Sequence, residues 1–446
     1  VSTGGPAHPE RTGPRIDGGR LLRRLEALGE ISPIDGGGNA RLALSDADKA
    51  GRDLVVTWMH DLGLDVRIDA IGNVFATMRL DGPAGERAPV MTGSHIDTVR
   101  TGGRYDGNYG VLAGLEVIEA VLEHGTPLDR PLAVAFFTNE EGARFAPDML
   151  GSLVHVGGLA VETALDTVAV DGARLGDELT RIGYAGSAPC PGPAPHAFVE
   201  LHIEQGPVLD LEGIRIGVVE QVQGISWQEL TITGQSNHAG TTPMRFRRDA
   251  GFAAARLAVE AREIARSMGG DQVGTVGAIT LHPNLVNVVA ARAVMTVDLR
   301  NTDESLLRLA EQRFAAAAAQ VERDEGVTIT SRPLARFEPV AFDPRVIDLV
   351  ERFARDAGLS TRHMPSGAGH DAQMLARVCP TGMIFVPSID GLSHNPAERT
   401  APDDLVAGAE VLLHTLLALT RPGTLSGAAH PATGRDIEGE PPCPAS

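Results

Sequence analysis

The chain has 446 residues, more than one hydrophobic core usually serves, so two or more domains are expected. Its 43% apolar and 22% charged content is that of a soluble globular protein, and a net charge of −19 with no offsetting basic patch argues against a nucleic-acid partner. Lys49 is the only lysine and the cysteines are Cys190, Cys379 and Cys443; this excludes a G-K-[ST] phosphate loop, an S-x-x-K nucleophile, a disulfide framework and a Cys-rich zinc site, and it suits a reducing cytoplasm.

In chain order, residues 1–15 lack the apolar core of a secretory signal and read as a disordered tail. Ser45 followed by Asp48 resembles a capping box for a helix to about Leu62, stopped by Gly63. Pro89-Val-Met leads into Thr92-Gly-Ser-His95, a buried strand that ends in a polar loop. Gly110 to Glu123 carries Val111, Leu115, Ile118 and Leu122 at helical spacing, with Gly125 as the cap. Pro131 to Phe137 and Ala197 to Ile203 are apolar runs of strand length. Such strands between helices indicate a mostly parallel sheet covered on both faces.

The middle changes pattern. Trp227 to Thr233, Gln272 to Leu281, Ala293 to Arg300 and Val327 to Ser331 read as strands, with helices at Asp249 to Met268 and Thr302 to Glu325. This is the β-α-β-β-α-β order of a ferredoxin-like α+β domain, placed at residues 220–334. The α/β pattern then resumes: Asp343-Pro344 opens a helix to about Ala357, Gly382 to Val386 is strand-like and runs into the loop of His394, and Pro402 to Leu419 is a closing helix. The expected fold is an α/β domain formed by 16–219 and 335–420, interrupted by the inserted domain. Residues 421–446 form a second disordered tail, and no apolar run is long enough to span a membrane.

Polar clusters follow, or sit near the ends of, these strands: His95-Ile-Asp97, Gly103-Arg-Tyr-Asp106-Gly, Asn139-Glu140-Glu141-Gly, His202-Ile-Glu-Gln205-Gly and Ser393-His394-Asn-Pro. Each alone is unremarkable: a His-x-Asp is usually a hydrogen-bonded surface pair, Glu-Glu-Gly a solvated turn, and a histidine among apolar neighbours a satisfied core residue. Together they fall where one α/β sheet gathers ligands, at the carboxyl ends of its strands. Histidines and carboxylates without cysteine suit zinc, manganese, cobalt or nickel.

The segments TGSHIDTV, GGRYDGNYGVLAGLEV, FFTNEEGARF, ELHIEQGPVL, GQSNHAGTTPM, SGAGHDAQM and IDGLSHNPAE resemble the dinuclear-zinc carboxypeptidase and aminoacylase superfamily over roughly Ile16 to Thr420. Within it they are similar to the branch of N-carbamoyl-L-amino acid hydrolases, allantoate amidohydrolases and β-ureidopropionases. The resemblance implies two divalent ions, zinc foremost, with His95 and His202 on one, Glu141 and His394 on the other, and Asp106 bridging. It implies Asp97 as the residue that fixes the His95 ring and Glu140 as general base. Metal coordination can lower the pKa of a water from about 16 to about 7, which a poor electrophile such as a ureido carbonyl requires.

It further implies a homodimer through the inserted domain, His238 serving as oxyanion donor in the partner's site, and substrate contacts from Asn287, Arg300, Gln205 and the backbone at Gly369. An arginine fork is what a substrate carboxylate needs. Without the resemblance, His238 would read as a loop histidine and Arg300 as one surface arginine among many. His370 and Asp371 read as loop-ordering residues. Asn108-Tyr109 departs from the less polar pair of many relatives, beside the bridging aspartate. A serine hydrolase is disfavoured by the lack of G-x-S-x-G and a cysteine amidase by the lack of acid–base residues near Cys379. The open alternatives are an allantoate amidohydrolase or β-ureidopropionase, an aminoacylase or dipeptidase, and a metal-binding non-enzyme. Retention of Glu140 argues against the last.

Overall fold

Strands of six or seven residues are long enough to cross a sheet, and four that are buried throughout form its middle. The computed structural model describes residues 13–426. Two compact units are present. Within the described residues, the first takes in the chain up to Glu220, Phe342–Met364 and the chain from Gly369; the second is Gln221–Ala341 with Pro365–Ala368.

The nine-stranded sheet of the chain runs in the order Asp65–Ile68, Val74–Thr77, Leu132–Phe137, Val90–His95, Ala197–Ile203, Thr381–Val386, Ile216–Val222 and Val340–Ala341, with Thr361–Ser366 paired to Ile216–Val222. Leu132–Phe137, Val90–His95, Ala197–Ile203 and Thr381–Val386 are mutually parallel. Every residue in them is buried, as parallel strands covered on both faces require. The flanking pairs are antiparallel, so the fold is mixed α/β with a parallel centre. The hairpin of Asp65–Ile68 and Val74–Thr77 has no counterpart in the sequence expectation, because each strand has only four residues and Asp65–Ile68 is nowhere fully buried.

Helix Asn108–His124 lies so close to the sheet that a Cβ on Gly110 would stand 2.4 Å from the Leu201 carbonyl oxygen. Glycine there lets the helix settle onto the strand ends, with Asp106 just before its start. Helix Asp46–Asp61 begins where expected: the Ser45 side chain accepts from the Asp48 amide, and Asp48 reaches back to the Leu44 amide at 2.7 Å.

The second unit is an antiparallel five-stranded sheet in the order Ile279–His282, Arg292–Asn301, Gly224–Thr233, Thr328–Phe337, with Val273–Thr275 also on Arg292–Asn301. Helices Ala250–Met268 and Glu304–Glu325 share its core through Leu230, Ile232, Leu257, Met295, Leu299 and Phe314. Asp249 and Asp303 cap the two helices with their carboxylates. The single strand expected over Gln272 to Leu281 is two strands. It breaks at Val276–Ala278, where the Thr296 hydroxyl takes the Ala278 amide at 3.1 Å in place of a ladder bond.

Of the two expected tails, residues 1–12 and 427–446 lie outside the described residues. Leu425 is placed: it packs on the main core and its carbonyl accepts from Arg345. Among the described residues no helix is long and apolar enough to cross a membrane.

Candidate metal centre

The four parallel strands all point their carboxyl ends one way, and each delivers a polar group there. His95 ends its strand, Glu140 and Glu141 follow Leu132–Phe137, His202 sits near the end of Ala197–Ile203, and His394 lies in the loop beyond Thr381–Val386. Three residues near these ends, Asn139, Gln205 and His394, have φ of 57°, 60° and 51° without being glycine. Strained backbone of this kind clusters where side chains must be aimed. At Asn139 the side chain holds the turn, donating to the Phe145 carbonyl at 2.8 Å and accepting from the Phe145 amide at 3.3 Å.

Asp106 is the centre of the arrangement. Its Oδ1 lies 3.2 Å from His202 Nε2 and 3.6 Å from His95 Nε2, while its Oδ2 lies 3.4 Å from His394 Nε2. His394 Nε2 is also 3.2 Å from Glu141 Oε2. Two donor sets share it, His95–Asp106–His202 and Asp106–Glu141–His394, each with ligand atoms within 4.8 Å of one another; a third, Glu200–His202–His370, does not include Asp106. One carboxylate therefore faces the first two sets.

These separations fit cations better than protons. Charged N–H···O bonds are about 2.7–2.9 Å long, whereas two donors of a tetrahedral zinc with bonds of ~2.0 Å stand roughly 3.3 Å apart. The ring tautomers agree. His95 Nδ1–H donates to the Asp97 main-chain carbonyl at 2.9 Å and His202 Nδ1–H to the Ile203 carbonyl at 2.8 Å. Both Nε2 lone pairs are thereby directed at Asp106, and the Gly107 amide donates to His202 Nε2 at 3.1 Å.

The pocket is rich in buried acid. Burial, joined by the carboxylates of Asp371, Glu141 and Asp106, pushes Glu140 well above the usual carboxylate range. Burial also opposes ionisation of Asp106, but the facing rings of His202, His394 and His95 outweigh it and hold that carboxyl well below its usual value. The carboxylates of Asp106 and Glu141 facing its ring lift His394 to about 10. Such an excess of carboxylate calls for positive charge.

The sequence-expected residues fall into two groups. His95, Asp97, Asp106, Glu140, Glu141, His202, Gln205 and His394 are brought together. Glu140 Oε2 stands 3.4 Å from His95 Nε2, and Gln205 Nε2 donates to Asp106 Oδ2 at 3.0 Å. Asp97 reaches the His95 ring through its main chain; its carboxylate instead accepts from the Glu140 amide at 3.3 Å. Gly369 packs on Met149, whose amide donates to the Glu140 carbonyl at 2.7 Å. His238, Asn287 and Arg300 belong to the second unit. There His238 is exposed on a short strand paired with Val288–Val289, next to Asn287. Its Nδ1 accepts from the Gly240 and Thr241 amides at 3.1 and 3.2 Å, so its proton is on Nε2. Arg300 is held through Nε and Nη2 by Asp298 and donates from Nη1 to the Gly367 carbonyl at 2.6 Å.

Sequence reading did not single out Glu398 and Glu200. Glu398 accepts from the Tyr105 and Asp106 amides at 2.9 and 3.2 Å and so fixes the backbone at Asp106. Glu200 takes the Ser94 hydroxyl at 2.6 Å and the Ala372 amide at 2.7 Å, tying the His95 strand to the His370 loop. Both lie inside segments quoted above, so the signal was present but shared with eight other carboxylates there.

The profile of peptidase family M20/M25/M40 matches residues 91–418. The chain is 41% identical over 403 residues to an N-carbamoyl-L-amino-acid amidohydrolase of Rhizobium meliloti, covering 90% of this chain and 96% of that one. It is 38% identical to an allantoate amidohydrolase of Escherichia coli strain K12, over 89% and 96% of the two chains. Among solved structures, a hydantoinase/carbamoylase-family amidase from Burkholderia multivorans is 45% identical with a TM-score of 0.86, covering 91% of this chain and 98% of its own.

Proposed function

This chain belongs to peptidase family M20/M25/M40, and we propose that it hydrolyses the carbamoyl C–N bond of N-carbamoyl-L-amino acids. The observation that carries the reading is the Asp106 carboxylate, with one oxygen facing His95 and His202 and the other His394. His95, His202 and Asp106 would hold one divalent ion, and Asp106, Glu141 and His394 a second; zinc is favoured, with manganese, cobalt or nickel suited to the same donors. When bound, the ions supply Lewis-acid charge that acidifies water and polarises a ureido carbonyl.

The remaining chemistry belongs to the chain's own groups. Glu140 takes a proton from the attacking water and returns it to the leaving nitrogen. Asp97 keeps the His95 ring and the Glu140 backbone in one geometry. His238 carries its proton on Nε2, the form needed to donate to an oxygen that gains negative charge. Because His238 lies on the inserted unit, a homodimer formed through that unit, each His238 serving the partner's site, completes the reading. Arg300, oriented by Asp298, and Asn287 take the substrate carboxylate, with Gln205 and the Gly369 backbone alongside. A cytoplasmic setting suits the unpaired thiols of Cys190 and Cys379.

Assay on N-carbamoyl-L-amino acids, allantoate, ureidopropionate, N-acyl amino acids and dipeptides tests the substrate. Turnover of the carbamoyl compounds is expected to lead; cleavage of dipeptides alone overturns the reading. Allantoate is the second candidate, on the strength of the Escherichia coli relative. Co-expressing His238→Ala with Glu140→Gln chains tests the shared site: about a quarter of wild-type activity should return if half the dimers are mixed and each has one intact site. No recovery removes the shared site.

A further inference from the structure

Arg41 is fully buried and, among the described residues, has no carboxylate in hydrogen-bonding contact. Its donors are spent on backbone and one amide: Nε to the Ile96 carbonyl at 2.7 Å, Nη1 to the Leu28 and Ile31 carbonyls at 3.1 and 3.3 Å, and Nη2 to Asn108 Oδ1 at 2.8 Å. Its own backbone forms a reciprocal pair with Thr98, the Arg41 amide donating to the Thr98 hydroxyl and the Thr98 amide to the Arg41 carbonyl, both at 2.8 Å. Burial pushes the guanidinium down to about 10, partly offset by Asp48 and Asp97. A cation kept dry at such cost needs a reason.

The two segments it joins supply one. Ile96 to Thr98 follows His95, and Asn108 follows Asp106 by two residues. Asn108 is anchored at its other end as well, Nδ2 donating to the Arg104 carbonyl at 3.2 Å. We propose that the Arg41–Asn108 pair is a positioning clamp that fixes the spacing of His95 and Asp106 before any ion arrives, with Asn108 as the clamp's acceptor. This rests on the metal-centre reading above. Neighbouring Tyr109 is a separate anchor, its hydroxyl donating to the Leu405 carbonyl at 2.6 Å.

The test is zinc binding to metal-free protein, measured by competition with a chromophoric chelator and independent of turnover. Wild type should take up two zinc ions. Asn108→Leu should weaken the tighter-held ion by about 10- to 100-fold, the range for lost outer partners of metal ligands. Asn108→Asp, which restores an acceptor for the fork, should recover most of that loss. Arg41→Lys, which keeps charge but not the fork, should resemble Asn108→Leu. If wild type binds zinc and Asn108→Leu binds it equally well, the clamp is wrong and the metal centre stands. If Asn108→Leu and Asn108→Asp are equally weak, the role is general stability and the clamp is wrong again. A wild type that binds no zinc overturns both readings.

Discussion

Gly107 lies between Asp106 and the helix it precedes, at φ 67°. A Cβ there would meet three atoms of the His95 ring at 2.4 to 2.5 Å. Ordinary van der Waals contact begins near 3.4 Å, so the ring in Gly107→Ala must retreat by roughly 1 Å, a displacement of the order that costs about 100-fold in rate. That is about 2.7 kcal/mol of barrier. Overpacking and the left-handed backbone should together cost a further 2–4 kcal/mol or so of stability. The assay is kcat/KM on an N-carbamoyl-L-amino acid alongside zinc content and thermal unfolding. A folded variant with full zinc and unchanged kcat/KM would refute the claim that the His95 ring position controls activity.

Other perturbations separate the remaining roles. Glu140→Gln should retain zinc and lower kcat by about 10²- to 10⁴-fold, the share usual for a positioned acid–base group; comparable turnover would remove Glu140 as the base. Arg300→Lys should raise KM about tenfold with kcat little changed, because a point charge replaces a fork, and an unaltered KM would free Arg300 from the carboxylate. His155 tests electrostatics away from Asp106. It is buried between Phe75 and Phe137, neither ring nitrogen has a partner among the described residues, and burial pushes it down to about 4. The unfolded chain protonates it near 6.5 while the folded chain does not, so stability is full above that pH and lost as pH falls toward 4, by about 3 kcal/mol. In urea unfolding, His155→Phe should lose that much less than wild type between pH 7 and pH 4. Parallel losses would contradict the assignment.

What could be read from the sequence follows from what periodicity reports. Leu132–Phe137 was visible because a parallel strand buried on both faces leaves an uninterrupted apolar run, and Val90–His95 and Ala197–Ile203 because each opens on apolar residues and ends at a polar cluster. The clusters at their ends could be located because a sheet of that type gathers its loops on one edge. The antiparallel flanks were not visible: Asp65–Ile68 is too short and too mixed. Nor were the buried arginines, since residue type places Arg41 and Arg52 at the surface. Arg52 is instead held by Asp48 at 2.8 Å with its guanidinium over the rings of Phe136 and Tyr184. The main-chain role of Asp97 toward His95 was hidden for a different reason, because sequence patterns report side chains and not which carbonyl a ring will find.

The account stands on paired ions about a single carboxylate. Anomalous diffraction at the zinc edge from crystals grown with zinc tests it most directly. Two peaks should flank Asp106 about 3.5–4 Å apart, one bonded to His95 and His202 and the other to Glu141 and His394. A lone peak, or none within bonding distance of Asp106, would contradict it.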